Sequence, residues 1–358
     1  MNEVSRIGID ISRAVFQLHA AKADGSVAWR KRVYRSEFLE TLSKVPPCEI
    51  AMEACSGSHF WGQELKKMGH TVKLIPPQYV KPFVKRNKND AADAEGISEA
   101  MCRPTMRFVA VKSVAQQELC QLHRARELMV KHRTALINEI KGFLHEHGIV
   151  LSCGREKLYG QYMEKLEKCG DRLGEVFKRM MAQLFNQLSE VHSAVLKHEK
   201  EISALHEGNE MSLRLATIPG VGMLTATAVV AAVGDPSQYK SGRDFAASLG
   251  VVPRQHSSGQ TVRLQGVSKR GNPYIRKLLV QGGHSVVIAA RKAKGSRGEW
   301  LRSLLERRGR HRTVVAVANR NARTMWKLMA AGTSYDSSYD MRASQKIANV
   351  VVQGECSC

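Results

Sequence analysis

Two short runs, Ile7-Gly8-Ile9-Asp10 and Ile50-Ala51-Met52-Glu53, share one design: three apolar or small residues closed by a carboxylate. Each reads as a buried strand whose last residue leaves the sheet edge as an acid. A third segment, Asn89-Asp90-Ala91-Ala92-Asp93-Ala94-Glu95, sets Asp90 and Asp93 three apart on one face of a helix. Taken singly, each acid has an ordinary reading: Asp10 caps a turn, Glu53 is a surface residue, Asp90 starts a helix. Taken together and in this order they form a carboxylate cage. Hard cations such as Mg²⁺, with Mn²⁺ as the alternative, take oxygen ligands, and paired metals serve phosphoryl transfer. Asp10, Glu53, Asp90 and Asp93 are therefore the candidate metal ligands.

The chain around these acids is strongly basic. Its 358 residues hold 55 Lys and Arg against 33 Asp and Glu, a formal net charge of +22. Such an excess selects a polyanionic partner, DNA or RNA. No basic amphipathic helix with an aromatic face argues for a membrane surface, and no apolar run reaches membrane-spanning length. The first residues run directly into a strand pattern with no signal peptide, which points to the cytoplasm. The eight cysteines form no CxxC pair and show no zinc spacing, so free thiols are expected.

Working outward, Ile7 to Asp10, Val15 to Ala20 and Val27 to Tyr34 read as consecutive strands. A helix follows from Ser36, its expected cap, to Lys44. Strand Glu49 to Glu53, helix Ser58 to Met68, strand Val72 to Ile75 and helix Asp90 to Cys102 complete a mixed sheet with packed helices. Residues 1–113 form this α/β unit. Residues 114–207 carry a spacing of three and four: Leu122, Ala125, Met129, Leu136, Ile140 and Phe143, then Phe177, Met181, Leu184, Leu188, Val191, Val195, His198, Ile202 and Leu205. That is a coiled-coil pattern. The two segments form an antiparallel hairpin, pair between subunits, or do both. A polar break separates them around Cys153 to Gly170, and His198 reads as a specificity residue on the seam. Residues 208–333 form a third, mostly helical unit, and 334–358 read as a tail. Between Arg243 and Lys327 there are nineteen basic residues and three acids, Asp244, Glu299 and Glu306.

Two segments of the third unit carry candidate chemistry. Ile218-Pro219-Gly220-Val221-Gly222 before a helix resembles a helix-hairpin-helix, whose backbone amides at Gly220 and Gly222 hold a DNA phosphate. Its plainer reading is a tight turn between packed helices. The segment Arg254-Gln255-His256-Ser257-Ser258-Gly259, with Arg263, Lys269 and Arg270 nearby, sets hydroxyls among cations. That suits a serine nucleophile on a phosphodiester, but from local sequence alone a polar surface loop is the better reading.

The combination of Asp10, Glu53, Asp90-x-x-Asp93, the coiled coil, Ile218-Pro219-Gly220-Val221-Gly222 and Phe245-Ala246-Ala247-Ser248-Leu249-Gly250-Val251-Val252-Pro253…Ser258-Gly259 resembles the DEDD transposases of insertion-sequence family one-ten, relatives of the Piv-type DNA invertases. The resemblance covers residues 5 to 333. It implies a RuvC-like, ribonuclease-H-type first domain whose four acids bind Mg²⁺. It implies a C-terminal transposase domain whose serine, best matched by Ser258 with Ser257 adjacent, attacks DNA and is covalently joined to it. It implies an element-encoded bridge RNA that pairs with target and donor DNA, so that base pairing chooses the sequence. Strand exchange at two sites further implies a homo-oligomer, dimer or tetramer. Two rival readings are a RuvC-like nuclease that activates water, and a non-enzymatic nucleic-acid-binding assembly protein.

The basic stretch makes one expectation independent of any chemistry. Purified protein should bind nucleic acid with an affinity that falls steeply as salt rises, roughly 0.9 in log–log slope per phosphate neutralised. Binding measured across a salt series that shows a flat profile would remove the polyanion reading.

Overall fold

In the computed structural model, which describes residues 4–84, 90–151, 154, 158–169, 173–259, 261–293 and 295–336, the first unit is a five-stranded sheet. Strands β1 (Arg6–Asp10), β2 (Val15–Ala21) and β3 (Val27–Tyr34) run antiparallel to their neighbours, and β4 (Glu49–Glu53) and β5 (Thr71–Ile75) join parallel, in the order β3-β2-β1-β4-β5. The sheet is covered on both faces, which is why β1 and β4 read as continuous apolar runs.

Helices α1 (Phe38–Ser43) and α2 (Ser58–Lys67) cover one face. There Ile7, Ile9, Leu18, Ile50 and Met52 pack around Phe16, Phe38 and Trp61. The three rings meet edge to face with centroids 4.6 to 5.2 Å apart, the arrangement the ring quadrupoles favour. After β5 come the short α3 (Pro77–Val80) and then α4 (Asp90–Ala100). Ile97, Ala100 and Met101 cover the opposite face against Ala51 and Ile75. Ser36 is not a helix cap: α1 begins after Glu37, which makes no side-chain capping bond.

Helices α5 (Val114–Glu146) and α7 (Glu175–Glu207) are each 33 residues long and lie against one another within the chain. The α5 start is a capping box, Ser113 accepting from the Gln116 N–H and Gln116 returning a bond to the Ser113 N–H. Arg126 meets Glu199, and Arg133 meets His192 at 3.4 Å. Seven residues forward on one helix match seven back on the other, so the pair is antiparallel. Met181, Leu188, Val195 and Ile202, at heptad spacing, are buried. His198, between them, keeps Nδ1 buried without a hydrogen bond, 3.9 Å from Glu201. The polar break between the helices is not wholly irregular. It contains α6 (Leu158–Cys169), whose Leu158 and Tyr162 are buried beside Phe185. Apolar residues spaced by four were there to be read, masked by the surrounding Lys and Glu.

The remaining elements are α8 (Glu210–Ala216), α9 (Met223–Val233), α10 (Gly242–Ser248), the two-stranded β6 (Pro253–Gln255) and β7 (Leu264–Val267), α11 (Pro273–Ile288), and α12 (Gly295–Ala331), which bends at Gly309. Helix α9, apolar all round, is the buried centre. The tail begins later than Ser334: Tyr335 packs on this core and accepts a 2.7 Å bond from Arg297. Residues 337–358 lie outside the described set.

A buried polar knot ties α5 and α7 to this core. The Thr227 hydroxyl donates to the Met223 carbonyl at 2.6 Å, so it accepts from His123 Nε2 at 3.0 Å. His123 Nδ1 then accepts from the Tyr274 hydroxyl at 3.0 Å, and Tyr274 also lies beside Arg126. Burial first, and Arg126 second, hold the imidazole down to about 4. His59 behind the sheet is likewise pushed to about 4 by burial, then by Lys112.

Both histidines are neutral in the fold and protonate in the unfolded chain from about 6.5 downward. Their contribution is thus complete above pH 6.5 and lost as pH falls from there through about 4, because the unfolded state takes up more protons. Denaturant midpoints should drop between about pH 7.5 and about pH 5, and less so in His123→Gln. A flat profile would contradict the buried-neutral assignment.

Candidate active site

The acidic site is built on a glycine. A Cβ at Gly8 would lie 2.3 Å from the Ala94 carbonyl and 2.5 Å from the Ser98 N. Only a residue without a side chain lets α4 rest its backbone on β1. Ala94 and Ser98 are themselves buried at this contact. Asp10 leaves the strand two residues after Gly8 and on the same face. Asp90 and Asp93 occupy the first turn of α4. One ligand atom from each of Asp10, Asp90 and Asp93 lies within 4.8 Å of the others.

Glu53 stands at the end of β4, which pairs in parallel with β1 up to Ile9 and Met52. It lies outside that tight triad but within its field. Burial raises the Glu53 carboxyl above its ordinary value, the Asp93 charge adds to the rise, and Lys81 opposes it. Burial also raises the Cys55 thiol, helped by Glu53 and Asp10, so this cysteine is a reluctant thiolate. An all-carboxylate donor set drawn from a strand end and a helix turn fits a hard divalent cation. Bringing like charges this close is costly without one.

The helix carrying the acids is held from a third strand. Arg30 on β3 meets Glu95 of α4 at 2.9 Å, and its Nε donates to His19 Nδ1 at 3.3 Å. Burial, then Arg30, lower His19.

Ser258 lies on a different element. The segment read as a polar loop is a hairpin of β6 and β7, with Ser258 and Thr261 exchanging backbone hydrogen bonds of 3.3 and 3.1 Å near its tip. Gly259, at φ +56, makes the turn. Ser257, Ser258, Arg254, Arg263, Lys269 and Arg270 are all exposed, and Ser257 Oγ accepts from Gln255 at 3.0 Å. The hairpin is clamped at its base. A Cβ at Gly250 would fall 2.0 Å from the Arg270 carbonyl, and one at Gly271 1.7 Å from that of Ser248.

The two glycines before α9 have different parts. Gly220, at φ +86, is pressed against α11: its Cβ would meet Val286 at 2.6 Å and the Gly282 carbonyl at 2.7 Å. The Pro219 carbonyl accepts from Asn321 at 3.0 Å. Packing accounts for Gly220. Gly222, the exposed α9 N-cap, has open space where a Cβ would be and no side-chain cap.

Both halves of this arrangement match known transposases. A family model for DEDD transposases of the IS110 type matches residues 7–149, and one described as the transposase IS116/IS110/IS902 family matches residues 212–297. A probable family 20 transposase of Pseudomonas aeruginosa is 40% identical over 93% of this chain and 98% of its own. The transposase for insertion sequence element IS1111A of Coxiella burnetii is 40% identical over 94% of this chain and 92% of its own. A pilin gene-inverting protein of Moraxella bovis is 25% identical over 55% of this chain and 53% of its own. The chain belongs to the IS110 family of transposases, enzymes that cleave DNA and transfer its strands. Among the described residues no helix is long and apolar enough to cross a membrane.

Sequence reasoning picked out the acids but passed over Gly8 and Lys81. A glycine inside an apolar strand is the recognised sign of a close backbone approach, and Gly8 sits between two isoleucines. Lys81 follows a helix too short to show in the pattern.

Gly8→Ala should force α4 off the sheet. The clash is with backbone, so the loss of stability should reach the upper end of the roughly 1–3 kcal/mol of overpacking. A divalent cation should raise the melting temperature of the wild type, and that gain should vanish in Gly8→Ala. A variant with wild-type melting and an intact Mg²⁺ response would disprove the role given to Gly8.

Proposed function

We propose that this transposase is an RNA-guided DNA recombinase whose carboxylates and serine act together on one phosphodiester. In this reading residues 1–113 are a RuvC-like catalytic domain, 114–207 a coiled-coil oligomerisation region and 208–333 the serine-bearing domain. The observation that carries it is the convergence of Asp10, Asp90 and Asp93 to within 4.8 Å. Asp10, Asp90 and Asp93, with Glu53 beside them, would hold Mg²⁺ or Mn²⁺. Such an ion supplies electrophilic activation of a phosphate and charge neutralisation at the departing oxygen.

The chain's own residues divide the remaining work. Ser258 Oγ gives up its proton and forms the new bond to phosphorus while the bond from phosphorus to the strand's own oxygen breaks, and that oxygen departs with a proton. One phosphodiester replaces another, so joining the strands later needs no outside energy. Arg254, Arg263, Lys269 and Arg270 neutralise phosphate oxygens around the hairpin. Gly222, open at the α9 N-terminus, offers backbone N–H groups to a phosphate further along. The hairpin tip is exposed and the hairpin is anchored at its base, which suits a group that must reach DNA held by another unit. The basic excess between Arg243 and Lys327 suits a partner with two kinds of polyanion, donor and target DNA and a bridge RNA. Apolar residues left exposed on the long helices, Leu196 and Leu205 among them, support assembly of a dimer or tetramer.

Ser258→Ala should leave DNA and RNA binding within about twofold while abolishing strand exchange and the covalent protein–DNA adduct, since a serine nucleophile has no substitute. Ser257→Ala should be milder. Recombination that persists with both serines replaced would instead favour cleavage by activated water.

A further inference from the structure

The sheet that carries the acids has a second functional strip, set by strand register. Asp10 on β1 stands opposite Gln17 on β2, and Gln17 opposite Arg32 on β3. One step further toward the same sheet end, Val15 stands opposite Tyr34. Side chains alternate along a strand, so Asp10, Gln17, Arg32 and Tyr34 leave one face. Arg30, two residues from Arg32, fixes which face it is, because its guanidinium reaches Glu95 on α4. This is the face of the carboxylates, at the sheet end where β1 delivers Asp10.

Helix α4 covers β1 and the His19 part of β2, which is buried, but it does not cover this strip. Arg32 is exposed and Tyr34 is 60% exposed. Edge strands carry charge to discourage pairing with other chains, and that accounts for Lys31. It does not account for an aromatic ring left in water. Neighbouring strands are about 4.8 Å apart, so Arg32 lies roughly 10 Å across the sheet from Asp10. A strand laid across the sheet end would therefore pass Arg32 within a few nucleotides of the carboxylates. Across the site, Lys81 is exposed and within electrostatic reach of Glu53. A cation thus stands on each side of the carboxylates.

We infer that Arg32 and Tyr34, with Gln17 between them and Asp10, form a track for an unpaired stretch of the reacting DNA strand: Arg32 binds a phosphate and Tyr34 stacks on a base a few nucleotides from the bond that is cut. Aromatic stacking is tolerant of sequence because every base presents a ring face. Such a track therefore holds a strand in register without choosing it. The inference rests on the carboxylates being the cleavage site, since the track is defined by its distance from them.

The test uses the full-length protein and single-stranded DNA oligonucleotides carrying 2-aminopurine at successive positions, with Ca²⁺ to hold back cleavage. The wild type should quench the probe on binding. Tyr34→Ala, at unchanged melting temperature, should lose that quenching. In cleavage assays it should raise KM by about tenfold with kcat unchanged. Arg32→Gln should lower the slope of log affinity against log salt by about one, and Arg32→Lys should restore it. Equal quenching by wild type and Tyr34→Ala, failure of the DNA to bind, or quenching with RNA alone would each overturn the track. Asp10→Asn separates the two readings: it should keep the quenching and lose cleavage. If it cleaves normally, the carboxylate assignment falls while the Tyr34 result still stands by itself.

Discussion

The contact of α4 on β1 at Gly8 is the constraint on which the acidic site depends. Burial of Ile97, Ala100 and Met101 pulls the helix onto the sheet, but burial is non-directional and would leave the helix at an ordinary distance. The missing Cβ permits backbone contact, with Ala94 and Ser98 filling the space. The first turn of α4 then overhangs the end of β1, and its acids meet Asp10. Arg30, reaching from β3 to Glu95, marks the register of the helix on the sheet, though a pair this open to water adds little to its hold. Electrostatic repulsion among the acids works against this geometry, and the apolar face of α4 holds it nonetheless.

The serine hairpin is positioned by a separate set of forces. Its base is pinned by backbone contacts at Gly250 and Gly271 and by Arg276, which bonds the Leu249 and Arg270 carbonyls at 3.2 and 3.0 Å. The unit that carries it is joined to the long helices through His123, Thr227 and Tyr274, all satisfied by one another. It meets the first unit through Arg107 and Asp244, 2.8 Å apart. An ion pair half open to water contributes little by itself, whereas the His123 knot is buried and intolerant of a lost partner. The helices and the serine-bearing unit are therefore firmly coupled, and the direct contact between the serine-bearing unit and the first unit is the softer one. That inequality suits chemistry in which two groups come together around DNA.

Much of this was legible in the sequence because it rests on local pattern. The apolar runs ending in Asp10 and Glu53, the i, i+3 spacing of Asp90 and Asp93, and the heptads at Met181, Leu188, Val195 and Ile202 all carry their periodicity openly. What escaped depends on approach between distant segments. Gly8 needs α4 to show its purpose, and Gly220 needs Gly282. The hairpin from Pro253 to Val267 was hidden because its strands are short, polar and exposed, with no apolar alternation to give them away. Helix α6 is obscured by the charges on its outer face, and Ser36 looks like a cap because its residue type suits that place, although the helix starts beyond Glu37.

The central claim is that Asp10, Asp90 and Asp93 constitute a cation site, and binding of Mn²⁺ followed by electron paramagnetic resonance tests it without reference to DNA or to turnover. The full-length protein should bind Mn²⁺ saturably and stoichiometrically, in competition with Mg²⁺, and this binding should be lost in Asp10→Asn and in Asp93→Asn with the fold intact. Weak, unsaturable binding that is the same in wild type and both variants would contradict it.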